Sequence, residues 1–246
     1  MIKLFFPMTA IEQLLSDTAH RTFDYPKSRW IYYQEWNNAL FLHWKVPVTL
    51  LEKLVPEKLN IDTFDGHAYV SLVAFTMQKI RPRNLPAITF ISDFDEINIR
   101  TYIDNDNKKG VYFLNIEAAK SLSAYIAKKL SGLPYEKSVI NRSDTSYSSY
   151  NTQKAFALET EFEIKEPISS KTALDKWLTE RYCLYLDQEK SLYRYDIHHK
   201  EWEIKNVHLK QLSLNYTIDN ISLSNTPDFI HYSDGVKVVA WERSKI

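Results

Sequence analysis

The 246-residue sequence contains little cysteine and no excess of either charge. Cys183 is its single cysteine, so no disulfide can form within the chain and a cysteine-only metal site is excluded. A lone thiol suits a reducing compartment, and we expect a cytoplasmic protein. With 31 basic and 31 acidic side chains, no overall charge would attract the chain to nucleic acid or to an anionic membrane. We therefore expect neither partner.

Glycine is also scarce, with four residues, and neither of the common glycine-rich phosphate-binding patterns occurs. His198 and His199 are neighbours on a predicted strand and point to opposite faces, while His208 and His231 have no carboxylate or cysteine at ligand spacing. No stretch approaches the roughly 18 apolar residues of a transmembrane helix, and the apolar start is too short for a secretory signal. The sequence therefore predicts no cofactor, no metal and no membrane span.

Aromatic residues are abundant, with 16 Tyr, 12 Phe and 6 Trp, which suits β-sheet faces and pocket walls. Alternating and apolar runs predict strands over residues 30–46, 68–80, 95–103 and 111–116, and shorter strands between residues 146 and 241. A length of 246 residues is compatible with one all-β-rich domain. We predict an α+β fold with a dominant antiparallel sheet, formed by residues 30–246 after an N-terminal extension, residues 1–29.

Four helices are predicted around this sheet. A short amphipathic helix spans residues 9–19, and Thr49 is expected to cap another that runs through Leu54. An apolar residue at every fourth position predicts a helix over residues 118–130, ended by Gly132 and Pro134. A further short helix is expected over residues 172–179.

Several separated motifs occur in a recognisable order. They are Val55-Pro56-Glu57, Phe94-Asp95-Glu96, Leu133-Pro134-Tyr135, a segment over residues 177–182 and the final Val236 to Trp241. Together they resemble the YqjF-like family of uncharacterised bacterial proteins, over the chain from about Trp30 to its end. That family is similar in fold to acetoacetate decarboxylase. The resemblance implies a mostly antiparallel β-barrel of acetoacetate-decarboxylase-like type with two to four peripheral helices.

The resemblance departs from acetoacetate decarboxylase at the nucleophile. That enzyme family has two lysines after a proline, the first forming a Schiff base and the second lowering its pKa. The matching positions here hold Tyr135 and Glu136. A phenol cannot form an imine, and a carboxylate raises the pKa of a neighbouring amine. Lys137 lies two positions further on, so we do not expect it to replace the missing lysine.

Glu96 and Arg100 are the candidate catalytic residues. Along residues 94–103 the isoleucines fall on one strand face, and Glu96, Asn98, Arg100 and Tyr102 fall on the other. This pattern alone favours a solvent-exposed polar face. The resemblance instead implies that Glu96 points into the barrel, with Arg100 roughly 13 Å along the strand, at the far end of one pocket.

Three further residues are candidates for ligand binding. The resemblance would place Tyr135 at the mouth or wall of the pocket, where its phenol can donate, accept or only pack. His43, on an apolar strand, is either a base or a hydrogen-bonded core residue, and the second use is commoner. Arg181 either presents its guanidinium to an anion or pairs with a carboxylate for structural reasons.

These residues predict a small-molecule-binding protein whose pocket accepts an anionic or carbonyl ligand. Glu96 would be a general acid or base, and Arg100 would anchor a carboxylate or enolate. One alternative is a non-catalytic sensor or interaction scaffold on the same fold. Another is a lyase or decarboxylase-like enzyme that uses Glu96 without a Schiff base. The sequence leaves open whether the chain is an enzyme and whether it forms homo-oligomers.

Overall fold

A computed structural model describes residues 8–119, 135–188 and 190–246. Most of the helix expected over residues 118–130, together with its stop at Gly132 and Pro134, lies outside these ranges. Ala118, the first residue of that expected helix, is instead the last residue of a strand.

The described helices are α1 (Ala10–Ser16), α2 (Val48–Leu51), α3 (Thr89–Ser92) and α4 (Ala173–Thr179). Helices α1 and α4 begin at Thr9 and Thr172, each with a reciprocal capping box of side-chain and backbone hydrogen bonds. The expectation that Thr49 caps α2 is wrong, because Pro47 occupies the cap position and Thr49 lies inside the helix. Helix α3 follows the loop of residues 83–88 and was not predicted.

The strands are β1 (Tyr32–Val46), β2 (Ala68–Pro82), β3 (Phe94–Asn105), β4 (Lys108–Ala118), β5 (Tyr135–Lys137), β6 (Val139–Arg142), β7 (Ser146–Asn151), β8 (Phe156–Pro167), β9 (Cys183–Gln188), β10 (Ser191–His199), β11 (Lys205–Asn215), β12 (Thr217–Ile218), β13 (Ile221–Ser222), β14 (Phe229–Ala240) and β15 (Ser244–Lys245). The four long strands at the start of the sheet begin and end within a few residues of their predicted bounds. The short strands β5 and β6 were not predicted.

Within the described residues, thirteen strands form one mixed sheet in which the order β10-β9-β4-β3-β2-β1-β14 closes on itself through pairing of β10 with β14. The result is a ring of seven strands. The pairs β4–β5 and β4–β9 are parallel, and the other pairs of the sheet are antiparallel. From β14 the sheet continues through β11, β8, β7 and β6. The predicted fold class, an α+β fold with a predominantly antiparallel sheet, is therefore confirmed.

A bulge in β1 decides which side chains face the inside of the ring. The pairing of β1 with β2 shifts register between Asn37 and Leu40, and Asn38 has a positive φ of 55°. Asparagine tolerates this left-handed conformation better than most residues. Because the bulge inserts an extra residue, Trp36 on one side of it and Phe41 on the other both line the same interior cavity.

Opposite this bulge, β14 contains Gly235 with a φ of 138°, paired with Asn37. A Cβ added to Gly235 would collide with the side chain of Asn37 and the backbone of Trp36. Glycine is therefore required for β14 to approach the bulged part of β1.

Two apolar layers stabilise the sheet. Inside the ring, Phe41, Val73 and Phe94 belong to one buried cluster. On the outer face of the same strands, Leu42 and Ile99 pack in a second cluster against side chains of β7 and β8, because the sheet extension curls back over the ring. Strands β2 and β3 are consequently buried on both faces. Within the described ranges, no helix is long and apolar enough to cross a membrane.

Candidate functional site

A cavity of about 280 Å³ lies inside the ring of strands. Most of its wall is apolar, and β3 contributes the polar residues Glu96, Asn98 and Arg100. Strand alternation places these three side chains inward, while Ile97 and Ile99 point to the outer apolar layer. The polar face of β3 is therefore buried in a cavity and is not a solvent-exposed face, because the ring closes over it.

Glu96 is almost completely buried, with 3% of its surface exposed. Its Oε2 accepts a hydrogen bond of 2.8 Å from the phenol of Tyr135, and its Oε1 accepts one of 3.1 Å from the amide of Asn98. Burial raises the pKa of Glu96 to about 7, although the two hydrogen bonds and the charge of Arg100 act in the opposite direction. Both protonation states of this carboxyl group are therefore accessible near neutral pH.

Arg100 is buried without a carboxylate partner among the described residues. Its guanidinium lies 5.6 Å from the ring centre of Phe41. Burial lowers the pKa of Arg100, but an arginine side chain remains protonated in proteins. A buried positive charge that no ion pair compensates favours an anion in the same cavity.

Three polar atoms on the cavity wall lack a hydrogen-bond partner among the described residues. They are Nε1 of Trp36, Oδ1 of Asn98 and Nε of Arg100. Buried polar groups are usually paired, and an unpaired one costs about 1–3 kcal/mol. All three belong to residues that line the cavity, although the atoms themselves are shielded from it.

Tyr135 reaches the cavity from β5, which pairs in parallel with β4 so that Tyr135 is opposite Ile116. Burial and the Glu96 carboxylate raise the pKa of Tyr135 well above its usual value. The next residue, Glu136, forms an ion pair of 2.8 Å with Lys154, and Lys137 is exposed. The described residues that line the cavity include no lysine.

His43 lies deeper in the ring, outside the cavity wall, in a chain of buried hydrogen bonds. Its Nδ1 is 2.6 Å from Oγ of Ser71, which is 2.6 Å from the phenol of Tyr102. Its Nε2 is 3.2 Å from Nδ1 of His231, whose Nε2 is 2.9 Å from Asp175. Burial lowers the pKa of both histidines, so they are neutral at pH 7. We call these five side chains the inner polar chain.

Arg181 also lies away from the cavity wall. Its Nη1 donates a hydrogen bond of 2.6 Å to Asp62, and its Nε donates one of 2.8 Å to the carbonyl of Trp177. The guanidinium packs against the rings of Trp177 and Tyr102. These contacts attach α4 to the loop before β2, which is the structural use considered from the sequence.

The structure thus brings Glu96, Arg100 and Tyr135 together on one cavity wall and leaves His43 and Arg181 outside it. Sequence reasoning did not single out Trp36 or Asn98. Asn98 could have been found from the alternation that marked Glu96, but Trp36 faces inward only because of the bulge at Asn38. In the described ranges, no group of three or more His, Cys, Asp or Glu side chains is arranged to hold a metal ion.

The closed ring and its interior cavity define a protein of the acetoacetate-decarboxylase-like fold. Over 94% of this chain and 90% of the other, the structure superposes on the enduracididine biosynthesis enzyme MppR, solved with HEPES bound, with a TM-score of 0.62 and 9% identity. The same enzyme has also been solved complexed with pyruvate. A solved acetoacetate decarboxylase matches with a TM-score of 0.57 and 15% identity, covering 89% of this chain and 90% of the other.

Within that fold, the chain belongs to the family DUF2071, described as an uncharacterized conserved protein, whose model matches residues 33–237. A relative in Bacillus subtilis strain 168, the uncharacterized protein YqjF, is 36% identical over 229 residues. That alignment covers 89% of this chain and 94% of the relative. The resemblance recognised from the sequence motifs is confirmed.

Proposed function

We propose that this protein binds a small anionic or carbonyl compound in the cavity lined by Glu96, Asn98 and Arg100. The observation that carries the proposal is the buried guanidinium of Arg100, which has no carboxylate partner among the described residues and lies beside an apolar cavity. A charge in this position is costly unless an anion joins it. That MppR, a structural neighbour, has been solved with pyruvate supports a carbonyl-bearing anion as a ligand of this fold.

The proposed ligand would contact two kinds of group. The guanidinium of Arg100 would hold a carboxylate or enolate oxygen by a charge-assisted hydrogen bond. Glu96, when protonated, would donate to a carbonyl or carboxylate oxygen. We further propose that imine formation is not used. The supporting observations are the phenol of Tyr135 on the cavity wall and the absence of lysine from the described lining residues.

Binding can be tested with pyruvate, acetoacetate and acetone as probes in ligand-observed NMR. We expect at least one of them to bind the wild-type protein and to lose at least tenfold in affinity in Arg100→Met. Arg29→Met is the matched control, because Arg29 is exposed and outside the cavity. Equal affinity in Arg100→Met and Arg29→Met would show that the proposed ligand site is wrong.

A second candidate function, acid–base catalysis by Glu96, is favoured by the pKa of about 7 and by the short contact with Tyr135. In this reaction the Glu96 carboxylate would take a proton from the carbon next to a bound carbonyl, and the resulting enolate would be held by Arg100. The same carboxyl group would then return a proton to that carbon. No redox step or additional reactant is involved.

Deuterium incorporation into the methyl group of pyruvate in heavy water, followed by proton NMR, tests this second function. We expect exchange with wild-type protein and at least a hundredfold slower exchange with Glu96→Gln. Glu203→Gln is the control, because Glu203 is exposed and outside the cavity. Binding of pyruvate without any catalysed exchange would favour the remaining alternative, a non-catalytic sensor or scaffold.

The cellular location and assembly state also remain proposals. The single, buried thiol of Cys183 supports a reducing compartment such as the cytoplasm. We infer no preferred oligomer from the single chain.

A further inference from the structure

The polar and apolar parts of the cavity wall occupy different depths. On β3, Glu96 pairs with Phe75, Asn98 with Val73 and Arg100 with Ser71 of β2. The next inward-facing pair toward the other end of β3 is Phe94 with Met77, and Met77 pairs in turn with Trp36 of β1. The polar residues of β3 therefore lie toward one end of the cavity. The large apolar side chains of Phe94, Met77 and Trp36 lie side by side toward the other end.

We propose that the cavity takes an amphipathic carboxylate, with its carboxylate at Arg100 and an apolar chain of about six or seven carbons directed past Phe94 and Met77 toward the mouth. This inference rests on the proposed function and adds the class of ligand. It commits to an anion with a hydrocarbon tail, whereas the proposed function is satisfied by any small anion or carbonyl compound.

The deep end of the cavity fixes the orientation of such a ligand. Behind Arg100, its pairing partner Ser71 hydrogen bonds to His43 and Tyr102 in the inner polar chain. This chain is buried, and its polar side chains do not line the cavity. A carboxylate at the guanidinium would therefore direct its tail away from them, toward Phe94 and Met77.

The mouth of the cavity is mostly apolar: of the lining residues between positions 81 and 92, Arg81 and Ser92 are polar and the rest are apolar. Leu85 and Ile88, in the loop between β2 and α3, are 56% and 62% exposed and line the cavity. Pro86 of the same loop and Ile91 of α3 line it as well. Exposed apolar side chains at a cavity entrance often mark a binding site for apolar groups. A hydrocarbon chain leaving the cavity would contact them and remove apolar surface from water.

The cavity volume limits the length of the tail. At about 280 Å³ the cavity lies at the lower end of the range of small-molecule pockets, roughly 300–1,000 Å³. A short ligand therefore fills it, and we place the limit at heptanoate or octanoate, in which six or seven carbons follow the carboxylate. Longer chains would extend past Leu85 and Ile88 into solvent.

The test is a titration of wild-type protein with butanoate, hexanoate, octanoate and decanoate by isothermal calorimetry. We expect affinity to rise about fourfold for each added methylene up to octanoate, the value for full burial of a methylene. From octanoate to decanoate the gain per methylene should fall below twofold, because the added carbons pass the mouth. The alcohol 1-octanol should bind at least tenfold more weakly than octanoate, and Arg100→Met should remove this preference.

Two variants test the position of the tail. Met77→Trp fills the apolar half and should weaken octanoate at least tenfold while changing butanoate less than twofold. If Met77→Trp does not fold, Ile88→Glu at the exposed mouth replaces it and should weaken decanoate more than hexanoate, because only a chain that reaches residue 88 loses its apolar contact there. Val139→Glu, at an exposed residue outside the cavity, is the control for Ile88→Glu and should change neither affinity.

The outcomes separate the ligand class from the proposed function. Equal affinity for all four carboxylates, or equal effects of Met77→Trp on octanoate and butanoate, would overturn the amphipathic ligand. Binding of pyruvate, acetoacetate or acetone without binding of octanoate would also overturn it and leave the proposed function standing. If neither those three probes nor any carboxylate of the series binds, the proposed function itself is wrong.

Discussion

At the end of the ring interior beneath α4, the buried polar side chains of the inner polar chain satisfy one another, from Asp175 through the two histidines to Ser71 and Tyr102. At the cavity end, Trp36, Asn98 and Arg100 each have a buried polar atom with no partner among the described residues. Both ends are enclosed by the same strands. Unpaired buried polar groups reduce stability, so the five side chains of the inner polar chain and the three cavity residues should respond differently to substitution.

The largest effect is expected at the satisfied end, from His43→Ala. This substitution removes a fully buried ring and leaves polar atoms of Ser71 and His231 without their partner. We expect the free energy of unfolding to fall by about 3–5 kcal/mol, measured by urea denaturation. Asn98→Ala, at the cavity end, loses one hydrogen bond to Glu96 and should cost only about 1 kcal/mol. Equal losses in the two variants would contradict the contrast between the two ends.

Glu96→Gln should change the pH dependence of stability. The pKa of Glu96 is about 7 in the folded protein and 4.5 in its ordinary state, so the folded state holds the proton more tightly. The contribution of Glu96 to the free energy of unfolding is therefore fully present below pH 4.5, and it is lost as the pH rises to about 7. The full span corresponds to at most about 3 kcal/mol.

This loss should be absent from Glu96→Gln, so the variant gains stability relative to the wild type between pH 5 and pH 8. Urea denaturation of both proteins across this range provides the measurement. Burial also raises the pKa of Glu117, but that contribution is common to both proteins and cancels in the comparison. Parallel stability profiles would mean that Glu96 is ionised in the folded protein throughout this range.

A smaller effect is expected from Tyr135→Phe, which removes the hydrogen bond donated to Glu96 Oε2. We expect a loss of about 1 kcal/mol in the free energy of unfolding. The pKa of Glu96 should rise further, because the phenol stabilises the ionised carboxylate. Carbon NMR of the Glu96 carboxyl group, with the exposed Tyr150→Phe as control, measures this shift. An unchanged or lowered pKa would show that the phenol does not donate to the carboxylate in solution.

The smallest effect on stability is expected from Arg100→Met, within about 1 kcal/mol of the wild type or slightly stabilising. Its guanidinium is buried without a carboxylate partner in the described part of the chain, so replacement by a similarly sized apolar side chain removes a cost. Arg181→Met is the matched comparison, because it leaves Asp62 without its ion-pair partner and should cost about 3–5 kcal/mol. Stability is measured by thermal and urea denaturation. Equal losses in Arg100→Met and Arg181→Met would contradict this prediction.

Local patterns predicted much of the secondary structure. Strands β3 and β4 were predicted on either side of residues 104–110, and the chain turns between them at Asp106 and Asn107, both with positive φ. Helices α1 and α4 lie within their predicted ranges and begin after Thr9 and Thr172, the first residues of those ranges. The cap of α2 was misplaced because Thr49 is a good capping residue by type, while the fixed φ of Pro47 already defines the helix start.

The candidate site was only partly predictable. The alternation on β3 grouped Glu96 with Arg100, but the pattern alone favoured a solvent-exposed face. The inward position of Trp36 depended on the bulge at Asn38, which no periodic pattern reveals. The separation of His43 from the cavity depended on its contacts with Ser71 and His231, which lie 28 and 188 residues away in sequence.

The amino-acid sequence by itself determined the long strands, the capped helices and the family, because these depend on residue types at short spacing and on ordered motifs. It also determined that a phenol follows Pro134 where the resemblance implies a lysine. Only the tertiary structure decided that the polar face of β3 is buried, because β10 must pair with β14 to close the ring around it. That closure removes Glu96 and Arg100 from water, and the loss of water is what raises the pKa of Glu96 and makes an anion at Arg100 favourable.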